Sequence, residues 1–210
     1  MRFSEACERN KQPILERLAA WLPPAARVLE VGSGSGQHAV HMARQLAGLR
    51  WQTTELAGHL DDLLERLQLE GRRGLAADAS IATPLELDVT RPEQWPRGPF
   101  DAVFSANTCH IMPTSAVARL LAGAAGVLAS GGLLLLYGPF RDGEAHTSPS
   151  NAAFDAHLRS IDPAMGVRDA RELARQALAL GLELRADESM PANNRMLVFE
   201  RLTQDDAPPR

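Results

Sequence analysis

Apolar residues along the chain switch between two spacings, and each switch marks an element. Ile14, Leu15, Leu18 and Leu22 recur on one helical face behind Pro13, and Pro23-Pro24 ends that stripe. Arg27 to Val31 reads as a short strand. It runs into Gly32-Ser-Gly-Ser-Gly36, after which Val40, Ala43, Leu46 and Ala47 form a second helical face that stops at Gly48. The rhythm repeats with Leu49 to Leu56 as a strand, then Leu60, Leu63, Leu64 and Leu67 as a helix ended by Gly71. Pro84 to Val89 fits a third strand and Phe100 to Ser105 a fourth. A helix with Val117, Leu120, Leu121 and Leu128 follows, with Thr114 as its N-cap and Gly131-Gly132 as its stop. Gly132 to Tyr137 is apolar on both faces, the pattern of a buried parallel strand.

Beyond this point the pattern changes. Residues 140–168 are rich in Gly, Ser, Pro and His around one short helix carrying Phe154, Leu158 and Ile161, and read as a lid-like insertion. Asp169 with Glu172 has capping-box spacing and opens a helix through Leu173, Ala177 and Leu178. Leu182 to Ala186 and Met196 to Arg201 then lack an intervening helix, so they pair antiparallel. Alternating strands and helices predict an α/β fold with a doubly wound, mostly parallel sheet. The expected organisation is a single domain over residues 1–202 and a flexible tail over 203–210.

Composition narrows the function classes. The chain has 210 residues, 45% of them hydrophobic, a formal charge of −4 and an isoelectric point near 5.9. That length supports a core without metal or disulfide staples, and Cys7 and Cys109 alone make no disulfide framework. No apolar run approaches the roughly 20 residues of a membrane helix, and the first ten residues have no apolar signal core. The expectation is a cytoplasmic protein with no membrane or nucleic-acid partner, acting on a small molecule. Neither its substrate nor its oligomeric state is legible.

The Gly-x-Gly-x-Gly run of Gly32, Gly34 and Gly36 lies between a strand and a helix, where a backbone turns sharply and approaches a ligand without Cβ interference. The helix start behind it offers N–H groups to a carboxylate or phosphate. A dinucleotide fingerprint requires a different third spacing, which counts against a nicotinamide-dependent oxidoreductase. Glu55 lies 19 residues beyond Gly36, near the spacing at which an acid takes ribose hydroxyls. Asp88 ends the third strand.

With Glu30 before the glycines, this constellation resembles the first motif of the class I S-adenosylmethionine-dependent methyltransferases. More narrowly, nearly the whole chain resembles a family of small bacterial and animal methyltransferase-like proteins of unassigned substrate. The pieces that carry the resemblance are Glu8-Arg-Asn-Lys11, Asn107-Thr-Cys-His-Ile-Met-Pro113, Tyr137-Gly-Pro-Phe140, Ser150-Asn151 with Phe154-Asp155, Gly166-Val-Arg-Asp169 and Met190-Pro-Ala-Asn-Asn194. The resemblance implies a Rossmann-like, seven-stranded sheet with a final antiparallel strand. It also implies S-adenosylmethionine as cofactor, held by Glu30, the three glycines, Glu55, Asp88, Val89 and Asn107, with Asp88 at the adenine. One departure is Thr53-Thr-Glu55 where the family has Pro-Ser-Asp, so the acid is one methylene longer.

Methyl transfer is an in-line displacement that needs alignment, and a base only for a protonated nucleophile. His110 and Tyr137 are the catalytic candidates, the histidine because its ordinary pKa is near neutrality. Asn10, Asn151, Arg168, Asn193 and Asn194 are the candidates for holding the acceptor, although Asn151 also suits a helix cap and the asparagine pair a turn. Asp155 and Arg159 have the spacing of a surface ion pair. His38 and His41 lack a third metal ligand, so no metal is expected. Cys109 beside His110 makes no thiolate dyad, because adjacent side chains diverge. A protein that binds the cofactor without transferring its methyl group remains the principal alternative.

Overall fold

The computed structural model describes residues 3–203. The described residues divide into two compact units, residues 3–94 with 100–105 and residues 95–99 with 106–203. The sequence expectation of a flexible tail falls, apart from Thr203, outside the described residues.

In the first unit, α1 (Glu5–Trp21) leads into β1 (Arg27–Glu30), α2 (Gln37–Gln45), β2 (Arg50–Glu55) and α3 (Leu60–Glu70). Two short strands, β3 (Ser80–Ile81) and β4 (Leu85–Glu86), precede β5 (Phe100–Ala106). All pair parallel: β5 beside β1, β1 beside β2, and both β3 and β4 on the far side of β2. Val28 and Leu29 point to opposite faces of β1 and are both fully buried, as strands with helices on both faces require. Trp51 packs edge-on against Phe104 with ring centroids 5.8 Å apart.

Two expectations need correction here. The first helix begins at Glu5 rather than at Pro13. Ser4 caps it by accepting from Cys7 N at 3.2 Å, Glu5 and Glu8 sit in the first turn, and Pro13 lies inside the helix. The third strand is not a continuous run from Pro84 to Val89. Residues 80–81 and 85–86 pair with successive parts of β2, and Pro84, which has no N–H for a ladder, lies between them.

In the second unit, α4 (Thr114–Val127) runs into β6 (Leu128–Gly138). Then come β7 (Phe140–Asp142), β8 (Ala145–His146), α5 (Pro149–Ile161), β9 (Arg168–Asp169), α6 (Ala170–Leu178), β10 (Leu182–Met190) and β11 (Asn194–Arg201). β11 lies antiparallel between β10 and β6, and Leu134, Leu135 and Leu136 of β6 are fully buried. Residues 140–168, expected as a lid with one helix, also carry strands: β7 pairs antiparallel with β8 and parallel with β9.

The capping residues differ from expectation in two places. Pro113, not Thr114, holds the capping position of α4 and makes no side-chain bond. Ser148, not Asn151, caps α5, accepting from Asn151 N at 3.1 Å. Asp169 does cap α6, but Glu172 turns to Arg175 and Gln176 instead of closing a capping box.

Candidate functional site

The glycine loop follows β1. Gly32, Gly34 and Gly36 all adopt positive φ, from 56° to 78°, which L side chains rarely adopt. The loop is stitched to β2, since Ser33 N donates to Thr54 O at 2.8 Å and Thr54 N donates to Ser33 Oγ at 3.2 Å. Gly36 is wedged: a Cβ there would lie 2.8 Å from Leu63 Cδ1 of α3. Gly34 is open, with nothing within 4 Å of the corresponding position, so the loop leaves room on that side for a ligand.

Glu55 closes on this loop. Its Oε2 accepts from Gly34 N at 2.7 Å and its Oε1 from Leu56 N at 2.9 Å. A carboxylate offers about four acceptor positions, so two remain for a pair of hydroxyls. Behind the loop, α2 starts at Gly36 without a side-chain cap, and its first N–H groups are available to an anion. Asp88 follows β4. Its Oδ1 accepts from Thr90 N at 2.9 Å and Thr90 Oγ1 at 2.7 Å, and these bonds hold its pKa below the usual carboxylate range. Val89 beside it is buried.

Glu30 is buried under the loop. Burial pushes its carboxyl up to about 7, only partly offset by the bonds it accepts from Trp51 Nε1 at 2.8 Å and from Ser33. His38 Nδ1 lies 3.9 Å away, and burial, reinforced by His41, pulls His38 down to about 4. Between about pH 4 and 7 the two groups are therefore an uncharged pair, with the proton on the carboxyl.

Asn10 sits inside α1, and its Oδ1 is 2.8 Å from His38 Nε2. Gln37, at the position after the last glycine, continues the connection. Its Oε1 accepts from Ser4 N at 2.7 Å and Ser35 Oγ at 2.9 Å, and its Nε2 donates to Ser4 O at 3.3 Å. The start of α1 is thus latched to the glycine loop. Sequence reasoning missed Gln37, because α2 also carries His38, His41, Arg44 and Gln45 and one more polar side chain there gives no signal.

In the second unit, Asn107 has φ 59° and its N donates to Tyr137 O at 2.8 Å. Asn107 Oδ1 and His110 Nδ1 converge on Gly138, lying 3.6 and 3.8 Å from where its Cβ would be. His110 packs edge-on against Phe154 at 5.1 Å, and burial, with Arg168 nearby, lowers its pKa to about 4. Tyr137 Oη accepts from Asn194 Nδ2 at 3.1 Å. Asn151 Nδ2 donates to Asn193 O at 2.9 Å, which ties the 191–194 turn to the start of α5. In that turn Ala192 and Asn193 take positive φ, whereas Asn194 is extended.

Arg168 is a clamp on the segment after β5. It donates to Cys109 O at 2.9 Å, Ala164 O at 2.7 Å, Thr114 Oγ1 at 3.1 Å and Met112 O. Asp155, which forms the expected pair with Arg159 at 3.1 Å, also accepts from Val167 N at 2.6 Å and so anchors the segment before β9. Burial raises the Cys109 thiol to about 11, leaving it protonated. Among the described residues no group of three or more His, Cys, Asp or Glu is arranged to hold a metal ion.

The family described as protein of unknown function (DUF938) matches residues 1–201. Among solved structures, an O-methyltransferase family protein from Burkholderia thailandensis is similar in fold, with 18% identity over 95% of this chain and 58% of that one, and a TM-score of 0.78. Human N-acetylserotonin methyltransferase in complex with S-adenosylmethionine matches at 14% identity, 95% and 53% coverage, and a TM-score of 0.73. The methyltransferase CalO1 of calicheamicin biosynthesis, bound to S-adenosylhomocysteine, matches at 19% identity, 91% and 54% coverage, and a TM-score of 0.69. The chain spans a little over half the length of these proteins. The fold is the α/β, mostly parallel seven-stranded sheet of class I methyltransferases.

Proposed function

This chain belongs to the family described as protein of unknown function (DUF938), and we propose that it transfers a methyl group from S-adenosylmethionine to a small-molecule acceptor. The observation that carries this reading is the bond between the Glu55 carboxylate and Gly34 N at 2.7 Å. It brings the acid at the end of β2 onto the glycine loop at the end of β1, where a ligand in an open parallel sheet binds. The proposed roles follow from chemistry. Glu55 takes the two ribose hydroxyls and Asp88, with Val89, meets the adenine. The uncapped start of α2 faces the amino-acid carboxylate and Glu30 supports the loop from beneath, while Asn107 is kept as a cofactor residue on the family resemblance.

Bound S-adenosylmethionine would supply an electrophilic methyl group; the protein's own work is alignment. His110 is neutral at pH 7 and so able to accept a proton from an acceptor, though with a pKa near 4 it is a weak base, suited to a nucleophile that is already acidic. Tyr137, Asn193 and Asn194 are proposed to orient that acceptor, with Asn151 and Arg168 holding the segments around it, while Asn10 holds α1 to the helix behind the glycine loop. A second reading, cofactor binding without transfer, is favoured by the bond between Tyr137 and Asn194, which occupies acceptor-side groups with one another.

Thermal unfolding with S-adenosylmethionine, S-adenosylhomocysteine or NAD tests the cofactor. Ligand at about 100 times its Kd adds about 2.7 kcal/mol, roughly 5–10 °C for a domain of this size. The first two ligands are expected to give that shift and NAD none. Glu55→Ala should weaken S-adenosylmethionine binding by about 10- to 100-fold, the loss of charged hydrogen bonds to a diol. Unchanged affinity would remove Glu55 from the site. Incubation with a labelled methyl donor and a small-molecule extract separates the two readings, because only the enzyme transfers label.

A further inference from the structure

The second unit contains a cavity of about 420 Å³, in the size range of small-molecule sites. Three arginines line it: Arg141 of β7, Arg159 of α5 and Arg168 of β9. Thr114 and Ser115, the first residues of α4, line it too.

The charges around this cavity are unequally compensated. Asp169 of β9 and Glu172 of α6 also face it; Glu172 is ion-paired away from the cavity, whereas Asp169 has only backbone N–H partners and keeps its charge. Asp169 Oδ1 accepts from Gly143 N and Arg171 N, each at 3.0 Å, and Glu172 pairs with Arg175 at 2.6 Å. Arg159 is paired with Asp155. Arg168 and Arg141 differ, because all their partners are neutral. Arg168 donates to three carbonyls and one hydroxyl, and Arg141 to Val167 O at 3.2 Å and to Gly143 O. Neither forms an ion pair among the described residues. Two cations held by fixed carbonyls are oriented in advance, so an anion meets them without an ordering cost. The helix start adds to this field: Pro113 provides no side-chain cap to α4, and with Ala116 N and Val117 N donating to Pro113 O, the N–H groups of Thr114 and Ser115 face an incoming anion.

We propose that this cavity binds the phosphate of a small phosphorylated molecule. The two arginines outweigh the one unpaired carboxylate, and the phosphate oxygens accept from the three N–H groups that Arg141 has left, from the one N–H that Arg168 has left, from the first N–H groups of α4 and from the Ser115 hydroxyl. The site does not depend on the methyl-transfer reading, because phosphate binding is measured on the full chain without cofactor.

Inorganic phosphate is titrated against the full chain by calorimetry and thermal unfolding, with acetate and chloride at equal ionic strength as comparisons. Saturable binding of phosphate, with no matching effect of acetate or chloride, is expected. Ser115→Asp places a carboxylate in the first turn of α4, where the helix dipole favours it, so the unfolding midpoint without phosphate should hold or rise. Phosphate affinity should nevertheless fall at least fivefold, and Arg141→Gln should produce the same loss by removing a cation. Absence of saturable phosphate binding, an equal effect of acetate, or retained affinity in either variant overturns the proposal.

Discussion

Replacing Glu30 by Gln should change how the stability of the protein depends on pH. In the folded chain burial raises the Glu30 carboxyl from its ordinary 4.5 to about 7, while the unfolded chain returns it to 4.5. Between those values the folded state keeps a proton that the unfolded state releases. The contribution of this group is therefore fully present below about pH 4.5 and is lost as pH rises through 7. The size of the displacement corresponds to about 3 kcal/mol, most of which falls between pH 5 and 8.5. Gln keeps an oxygen for Trp51 Nε1 and has no proton to release. Urea unfolding of both proteins at pH 5, 6, 7 and 8.5 isolates the effect, because the remaining titrating groups are shared. The Glu30→Gln protein should gain about 2–3 kcal/mol on the natural chain across that range, or roughly 5–10 °C in midpoint. Two curves that stay parallel would show that Glu30 titrates as an ordinary carboxylate and would refute the argument from burial.

Two further outcomes follow from geometry. Gly36→Ala should destabilise by about 1–2 kcal/mol more than Gly34→Ala, since both strain a positive φ but only the first drives a Cβ onto the buried Leu63; equal midpoints would contradict this. Asn10→Ala should cost about 1–3 kcal/mol by leaving the buried His38 Nε2 without its partner, and a calorimetric loss below about 0.5 kcal/mol would show that the latch between α1 and α2 contributes little.

Local signals carried most of the elements. A strand followed by glycines at two-residue spacing and then a 3.6-residue stripe admits few structures, because only glycine adopts three positive φ angles in five residues at little cost. The positions of the loop and Glu55 at successive strand ends were also legible, and the bond from Gly34 N to Glu55 joins them. Apolar periodicity likewise marked α2, α4 and α6 and the antiparallel pair β10 and β11. That pair extends further than expected, to Met190 and from Asn194, because ladder bonds continue through polar residues whose side chains face outward.

What spacing along the chain could not decide is where a polar side chain turns. α1 extends upstream of Pro13 because Ser4 and Asn10 meet Gln37 and His38, partners 28 to 33 residues away whose bonds outweigh one missing N–H. Arg168 clamps three carbonyls and Asp155 holds Val167 N, neither of which a helical or strand period records. Burial also decides charge: the same residue types that titrate near 4.5 and 6.5 in water become a neutral Glu30–His38 pair once desolvation acts on both. Periodicity encodes which face of an element is apolar. The identity of a polar partner depends on which distant segment packs there, and only the folded chain supplies it.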